Sequence, residues 1–157
     1  MIGPGHRCRS AVASPHESPV NRSGPTPTTP PGCDRSASVA VVNDEDRVFD
    51  TDVPPSGTGC DECLDTGGWW VHLRRCAACG HVGCCDSSPA QHASAHFRET
   101  GHPVVQSFEP GEDWFWDYRD ARGVRGPTLA PPTSRPGDQP APGPAGVVPT
   151  NWRALIH

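Results

Sequence analysis

Regular alternation of hydrophobic and polar residues is confined to the middle of this 157-residue chain, where it predicts short strands. Residues 69–75 (WWVHLRR) are β-prone and alternate with a period of two. One face of this strand would carry Trp69, Val71 and Leu73, and the other Trp70, His72 and Arg74. Residues 82–85, 103–108 and 113–118 predict three more short strands. We therefore expect a small antiparallel sheet in this part of the chain.

The last of these strands carries an aromatic stripe. Trp114, Trp116 and Tyr118 fall on one face of it, while Phe115 and Asp117 fall on the other. Such a stripe is typical either of packing against the sheet or of the wall of a binding groove.

One helix is predicted over residues 88–100. Ser88 and Gln91 form a capping box, and Pro89 occupies the first helical position. Gly101 is a natural residue just beyond the C-terminus of the helix.

Composition predicts that the folded part is small. Of the 20 prolines, nine lie in residues 1–55 and eight in residues 121–157. We therefore expect a disordered N-terminal tail (1–55), a folded domain (56–120) and a disordered Pro/Gly-rich C-terminal tail (121–157). A domain of this size buries too little apolar surface to be secure, and bound metal is a common remedy.

Cysteines and histidines of the middle segment follow the spacing of metal ligands. The candidate ligands are Cys60, Cys63, Cys76, Cys79, Cys84, His92, His96 and His102. Pairs separated by two residues can bind one ion together, and a structural zinc ion takes four ligands. Eight candidates therefore predict two zinc ions, which could supply about 10–16 kcal/mol each towards folding.

The residues alone leave the pairing of these ligands open. A sequential scheme gives the first four cysteines to one ion and Cys84 with the three histidines to the other. An interlaced scheme sends His92 and His96 to different ions. These two histidines are four residues apart on the predicted helix and point to one side of it, which also permits one shared ion.

Charge and hydropathy limit the possible partners. Residues 56–120 carry four arginines and ten carboxylates, a balance of −6 that opposes binding to nucleic acid. The sequence shows no apolar run long enough for a membrane span. We expect a monomeric cytoplasmic protein, because a reducing compartment favours metal binding over disulfides.

Catalysis is not expected. Eight ligands close both sites, whereas a catalytic zinc keeps an open position beside a general base. A redox or metal-handling role for Cys84 and the adjacent Cys85 is the main alternative to a binding role, and nucleic-acid binding is a weaker one.

Residues 58–120 resemble the UBP-type zinc finger, which occurs in ubiquitin-specific proteases and in small stand-alone bacterial proteins. The resemblance rests on the runs CDEC, WVHLRRCAACGHVGCC and QHASAHFRETGHP. It implies interlaced pairing. One zinc would take Cys60, Cys63, Cys84 and His92, and the other Cys76, Cys79, His96 and His102.

The resemblance also implies a binding function. Members of the family bind the free C-terminal tail of ubiquitin, and the matching aromatic residues here are Trp70, Trp116 and Tyr118. The family's pocket arginine is missing, since Cys85 and Asp86 follow Cys84. A carboxylate at this place would repel a ligand carboxylate, which argues against ubiquitin itself. Arg74, Arg75 and Arg119 are candidates to replace the missing cation.

The sequence therefore predicts an α+β fold, a short antiparallel sheet with one main helix, stabilised by two zinc ions and flanked by disordered tails. Its expected role is an adaptor that binds the C-terminal tail of a protein or peptide.

Overall fold

The computed structural model describes residues 41–43 and 47–156. Residues 1–40 and 44–46, which make up most of the predicted N-terminal tail, lie outside the described residues, as does His157. The described elements in chain order are β1 (Val41–Asn43), β2 (Arg47–Phe49), α1 (Asp61–Thr66), β3 (Leu73–Cys76), β4 (Val82–Cys84), α2 (His92–Thr100), β5 (Val104–Ser107), β6 (Phe115–Asp117), β7 (Arg122–Val124) and a 3₁₀ turn (Trp152–Ala154).

Five of the strands form one antiparallel sheet in the order β4-β3-β5-β6-β7. In its register Leu73 pairs with Cys84, and Cys76 pairs with Val105. Strands β1 and β2 form a separate antiparallel pair. The α+β architecture with a small antiparallel sheet is thus confirmed. The four strands predicted from the sequence are β3, β4, β5 and β6, each shorter than expected.

The alternation of hydrophobic and polar residues predicts the buried face of β6 correctly. It fails for residues 69–72, which precede β3. Phe115 and Asp117 are buried, while Trp114 is 41% exposed, as a two-faced strand requires. Trp70, however, is fully buried in the same apolar cluster as Leu73. These residues were expected on opposite faces, but the regular strand begins only at Leu73, so a period of two does not apply before it.

The predicted capping box does not form. Helix α2 begins at His92, and Gln91 before it has a left-handed backbone (φ 53°) with no side-chain cap. The Ser88 hydroxyl instead accepts a hydrogen bond from the backbone N–H of Val71 at 2.9 Å. The C-terminal signal is confirmed, since Gly101 adopts φ 76° directly after the helix.

Two apolar clusters form the core. The first consists of Cys60, Cys63, Trp70, Leu73, Val82, Cys84 and Phe108. The second consists of Phe49, Ala77, Val104, Phe115 and Leu129. The first cluster includes three candidate metal ligands, so metal binding and apolar packing share one interior.

The second cluster moves both boundaries of the folded domain outward from the predicted residues 56 and 120. Phe49 comes from the predicted N-terminal tail and Leu129 from the predicted C-terminal tail, yet both are buried. Strand β7 also lies beyond residue 120 and pairs with β6. The sheet of residues 56–120 leaves Phe115 and Val104 uncovered, and the flanking segments bury them.

Buried polar residues fasten the C-terminal segment further. The guanidinium of Arg75 is fully buried and donates to the carbonyl oxygens of Ala130 (2.7 Å) and Val53. Arg135 pairs with Glu109 at 2.9 Å. A buried cation needs such partners, because an unpaired one would cost several kcal/mol.

Glu109 shows how strongly this contact favours the charged form. Burial raises the pKa of Glu109, but hydrogen bonds with His72, the Leu73 N–H and Arg135 outweigh it and lower the pKa to about 2.

The C-terminal segment contacts the domain as far along the chain as Gly143, which exchanges two backbone hydrogen bonds with Trp70.

Truncation of Leu129 tests whether the C-terminal segment is part of the folded unit. We expect Leu129→Ala to lower the free energy of unfolding by about 2–5 kcal/mol, because it empties a buried site. Leu155→Ala is the matched control: Leu155 is 44% exposed and its loss should change stability by less than about 0.5 kcal/mol. Denaturant unfolding of the zinc-loaded chain measures both, and equal effects would contradict the packing described here.

Candidate metal centres

The first cluster of ligands joins α1, β4 and α2. Cys60 precedes α1, Cys63 lies in it, Cys84 ends β4 and His92 begins α2. The Nδ1 atom of His92 is 3.1, 3.4 and 3.5 Å from the three Sγ atoms, in that order. We call this group centre 1.

A close approach of β4 to α2 makes centre 1 possible. A Cβ atom on Gly83 would lie only 2.7 Å from the backbone nitrogen of Ala93, so a larger residue would push the helix away. The backbone N–H of His92 also donates to the Cys84 sulfur at 3.3 Å. Glycine at this position therefore lets the first residue of the helix reach the strand.

The second cluster joins β3, the following turn, α2 and the residue after Gly101. It consists of Cys76, Cys79, His96 and His102. Cys79 Sγ is 3.3 Å from Nε2 of His96, and Cys76 Sγ is 3.7 Å from Nδ1 of His102. We call this group centre 2. Gly80 closes the turn with φ 76°, the positive value expected from the sequence.

Pairing of the ligands is interlaced. Cys60 and Cys63 cluster with Cys84, while the second cysteine pair lies in centre 2, so the sequential scheme is wrong. His92 and His96 are one turn apart on α2 and reach different centres. The helix thereby ties the two centres together.

Both clusters fit zinc. Within each, the four ligand atoms lie within 4.8 Å of one another. Zinc–sulfur bonds of about 2.3 Å and zinc–nitrogen bonds of about 2.0–2.1 Å in a tetrahedron place neighbouring ligand atoms roughly 3.3–3.8 Å apart. The sulfur–nitrogen separations of 3.1–3.7 Å in the two clusters are close to this range.

Each centre also favours a thiolate. Hydrogen bonds from Cys60 and Cys63 lower the pKa of Cys84 to about 2. A hydrogen bond from Cys76 likewise lowers the pKa of Cys79 to about 4. The same contacts raise the pKa of Cys60 and Cys76, so each centre offers one thiolate and a bound zinc ion would displace the remaining thiol protons.

Cys85 lies outside both centres. Its side chain is buried, and its Sγ is 3.4 Å from the Ser88 hydroxyl. Cys84 faces centre 1, whereas Cys85 faces a surface cavity, because consecutive residues point in opposite directions at the end of a strand.

This cavity is the main candidate binding site near the aromatic stripe. It has a volume of about 210 Å³. Its lining residues are Arg74, Cys85, Asp86, Ser87, Val105, Trp114, Trp116 and Tyr118. Two of the three aromatic residues expected to bind a peptide, Trp116 and Tyr118, thus lie together here.

Trp70, the third, does not line this cavity. It packs with Leu73, and Leu73 and Arg74 point to opposite faces of β3. The structure therefore separates Trp70 from the other two and puts Arg74 in the cavity. The alternation of residues 69–75 predicts Trp70 and Arg74 on one face, and no signal in the sequence shows that it breaks between them.

A match to a known protein family agrees with the two ligand clusters. Residues 60–129 match the family zf-UBP, described as the zinc finger in ubiquitin-hydrolases and other protein. A Rhodopseudomonas palustris protein of known solution NMR structure is similar, with 46% sequence identity over 58% of this chain and 85% of that one, and a TM-score of 0.46. No curated protein matches the chain.

Residues 60–129 therefore belong to the UBP-type zinc finger family, and centres 1 and 2 are its two zinc sites. The match extends nine residues past the predicted domain end at residue 120 and includes β7 and the buried Leu129. Among the described residues, no helix is long and apolar enough to cross a membrane.

Two neighbouring cysteines provide a sharp test of the ligand set. We expect Cys84→Ser to lose the zinc of centre 1, because a hydroxyl is a poor substitute for a thiolate ligand. Cys85→Ser should keep two ions per chain. Elemental analysis of the purified variants measures the zinc content.

The same variants test the interlaced pairing. In Cys84→Ser, nitrogen NMR of the imidazole rings should show that His92 loses its metal-bound signal while His96 retains its own. If His96 alone loses its metal-bound signal, Cys84 belongs to centre 2 and the interlaced pairing is wrong.

Proposed function

We propose that this domain is a non-catalytic adaptor that binds the free C-terminal tail of a peptide or protein in the aromatic cavity. The observation that carries the proposal is the position of Arg74, which brings a cation into a cavity walled by Trp114, Trp116 and Tyr118. Both zinc ions would be structural, since each has four protein ligands.

The cavity suits a narrow, extended ligand. Its volume of about 210 Å³ is below the roughly 300–1,000 Å³ usual for small-molecule pockets, so it has room for a few small residues. Its wall is well supported, because the rings of Tyr118 and Phe97 stack with centroids 5.8 Å apart. Rigid aromatic walls favour binding because little conformational entropy is lost.

Arg74 is the best of the three candidates to replace the missing arginine. Arg75 is buried and bound to backbone carbonyls, and Arg119 donates to Asp117. Only Arg74 lines the cavity, with its guanidinium 4.6 Å above the ring of Trp114.

Part of the Arg74 side chain is available to a ligand. Its Nη1 donates to the Leu73 carbonyl (2.8 Å) and lies 3.5 Å from the Ser107 hydroxyl. Its Nε and Nη2 groups have no hydrogen-bond partner among the described residues. Two neighbouring donors of this kind match the two oxygens of a carboxylate.

Asp86 gives the cavity a second, opposite charge. Burial raises the pKa of Tyr118, and the nearby carboxylate of Asp86 raises it further, so this phenol stays neutral. Asp86 can accept a hydrogen bond from a ligand N–H group. We infer that the ligand carboxylate meets Arg74 and that the preceding backbone N–H donates to Asp86.

This arrangement favours a tail binder over the alternatives. The negative charge of the domain disfavours binding of nucleic acid, and the small cavity offers no binding surface for a membrane. A redox role for Cys84 and Cys85 would need them to react together, whereas Cys84 is held in centre 1. The chain would act as a monomer, and its partner would be defined by small terminal residues and a free carboxylate.

Titration with paired peptides tests the proposal. The probes are short peptides with varied small C-terminal residues, each as the free acid and as the C-terminal amide, added to the zinc-loaded full chain. We expect a free acid to bind at least 10-fold more tightly than its amide, because a hydrogen bond to a charged group contributes about 1.5–3 kcal/mol. Quenching of tryptophan fluorescence or calorimetry measures the affinity.

Variants of two lining residues separate the contributions of the cation and of the aromatic wall to the binding affinity. Arg74→Gln should weaken free acids about 10- to 100-fold and leave amides unchanged, while Trp116→Ala should weaken both forms about 10-fold. Arg153→Gln is a matched control, since Arg153 lies 4.5 Å over the ring of Trp152, outside the cavity. If acids and amides bind equally, Arg74 has no role in carboxylate recognition. If no probe binds, the tail-binding proposal fails.

A further inference from the structure

Two side chains that belong to neither metal cluster connect the two centres. Glu62 lies between Cys60 and Cys63 in the first turn of α1. His81 follows the second cysteine pair, in the turn before β4. Oε1 of Glu62 is 2.7 Å from Nε2 of His81, so the two form a direct hydrogen bond.

The other end of Glu62 faces centre 1. Its Oε2 is 3.4 Å from Cys60 Sγ and 4.0 Å from His92 Nδ1. With zinc bound, the Cys60 thiolate and the His92 nitrogen cannot donate to this oxygen, so Glu62 acts on centre 1 through its place in α1 between Cys60 and Cys63. Its other oxygen binds His81.

The ring of His81 faces centre 2. It stacks on the ring of His96 with centroids 4.2 Å apart and an angle of 10° between the planes. The backbone of His81 is also fixed, because its carbonyl accepts a hydrogen bond from the N–H of Cys76 at 2.8 Å. His81 thus contacts two ligands of centre 2, one through its ring and one through its backbone.

We propose that Glu62 and His81 are positioning residues that form a bridge between the two zinc centres. The hydrogen bond fixes the first cysteine pair relative to the second, and the stacked ring fixes the orientation of His96. Residues in contact with metal ligands commonly change metal affinity 10- to 100-fold when they are altered. Because the hydrogen-bonded pair joins the two centres, removal of either side chain should also weaken zinc binding at the centre farther from it. The bridge is independent of peptide binding.

A surface ion pair would behave differently. The side chain of Glu62 is 40% exposed. An exposed ion pair typically contributes only about 0–1 kcal/mol to the free energy of unfolding. Its removal would affect the nearer centre alone or neither. The effect at the opposite centre is therefore the measurement that separates a bridge from a local contact.

Chelator competition on the zinc-loaded full chain tests the bridge. Ring nitrogen signals of His92 and His96 report centres 1 and 2 separately. We expect Glu62→Ala to weaken zinc binding about 10-fold at centre 2 as well as at centre 1. His81→Phe keeps a ring for stacking but cannot donate, and it should weaken centre 1 by a similar factor.

Three further variants complete the test. Glu62→Gln retains an acceptor for His81 and should restore most of the affinity. The double variant Glu62→Ala/His81→Phe should be no weaker than the worse single variant, since both act through one contact. Glu99→Ala, at an exposed position on α2, is the control and should change neither centre.

The proposal is overturned if each single variant affects only its nearer centre. It is also overturned if the two losses multiply in the double variant. Cross-effects with non-additive losses would support it.

Discussion

Coordination of two metal ions by interlaced ligands is the constraint on which this structure depends. Centre 1 takes ligands from α1, β4 and α2, and centre 2 takes them from β3, its turn, α2 and the segment beyond it. Centre 1 cannot form until β4 has met α2, and centre 2 cannot form until β3 has met the same helix. The three ligand cysteines of the first apolar cluster are almost completely buried, so metal coordination also organises the interior.

Metal alone does not complete the domain. The face of the sheet that carries Phe115 is covered by Phe49 and Leu129, which come from segments on either side of the zinc finger core. Arg75 also holds both segments, because its guanidinium donates hydrogen bonds to the carbonyl oxygens of Val53 and Ala130. A small sheet cannot bury its own apolar surface, and short additions at each end supply the missing area.

The opposite face of β3 carries the proposed binding cavity. Leu73 turns into the core, and Arg74 turns into a cavity bounded by the β4–α2 loop and the aromatic residues in and beside β6. Zinc coordination at Cys84 holds the start of that loop, and thus positions Cys85 and Asp86 at the rim. The proposed ligand site is therefore built on metal-braced backbone, although no metal ligand takes part in it.

Local signals in the sequence determined much of this protein. The spacing of cysteines and histidines specified eight zinc ligands, because two thiolates three positions apart can reach one ion. Gly80 and Gly101 marked the turn and the helix end through their positive φ values, and alternation over β6 placed Trp116 and Tyr118 on one face. The resemblance to UBP-type zinc fingers gave the interlaced pairing, which spacing had left open.

Tertiary structure alone decided the rest. Composition predicted disorder around residues 49 and 129, because Pro-rich segments lack an apolar core of their own; here each contributes one side chain to a core built by others. Trp70 and Arg74 were assigned to one face, yet the strand starts between them, so one is buried and the other lines the cavity. Contacts between distant residues, such as Glu62 with His81, leave no periodic trace in a single sequence, since only the folded chain brings them together.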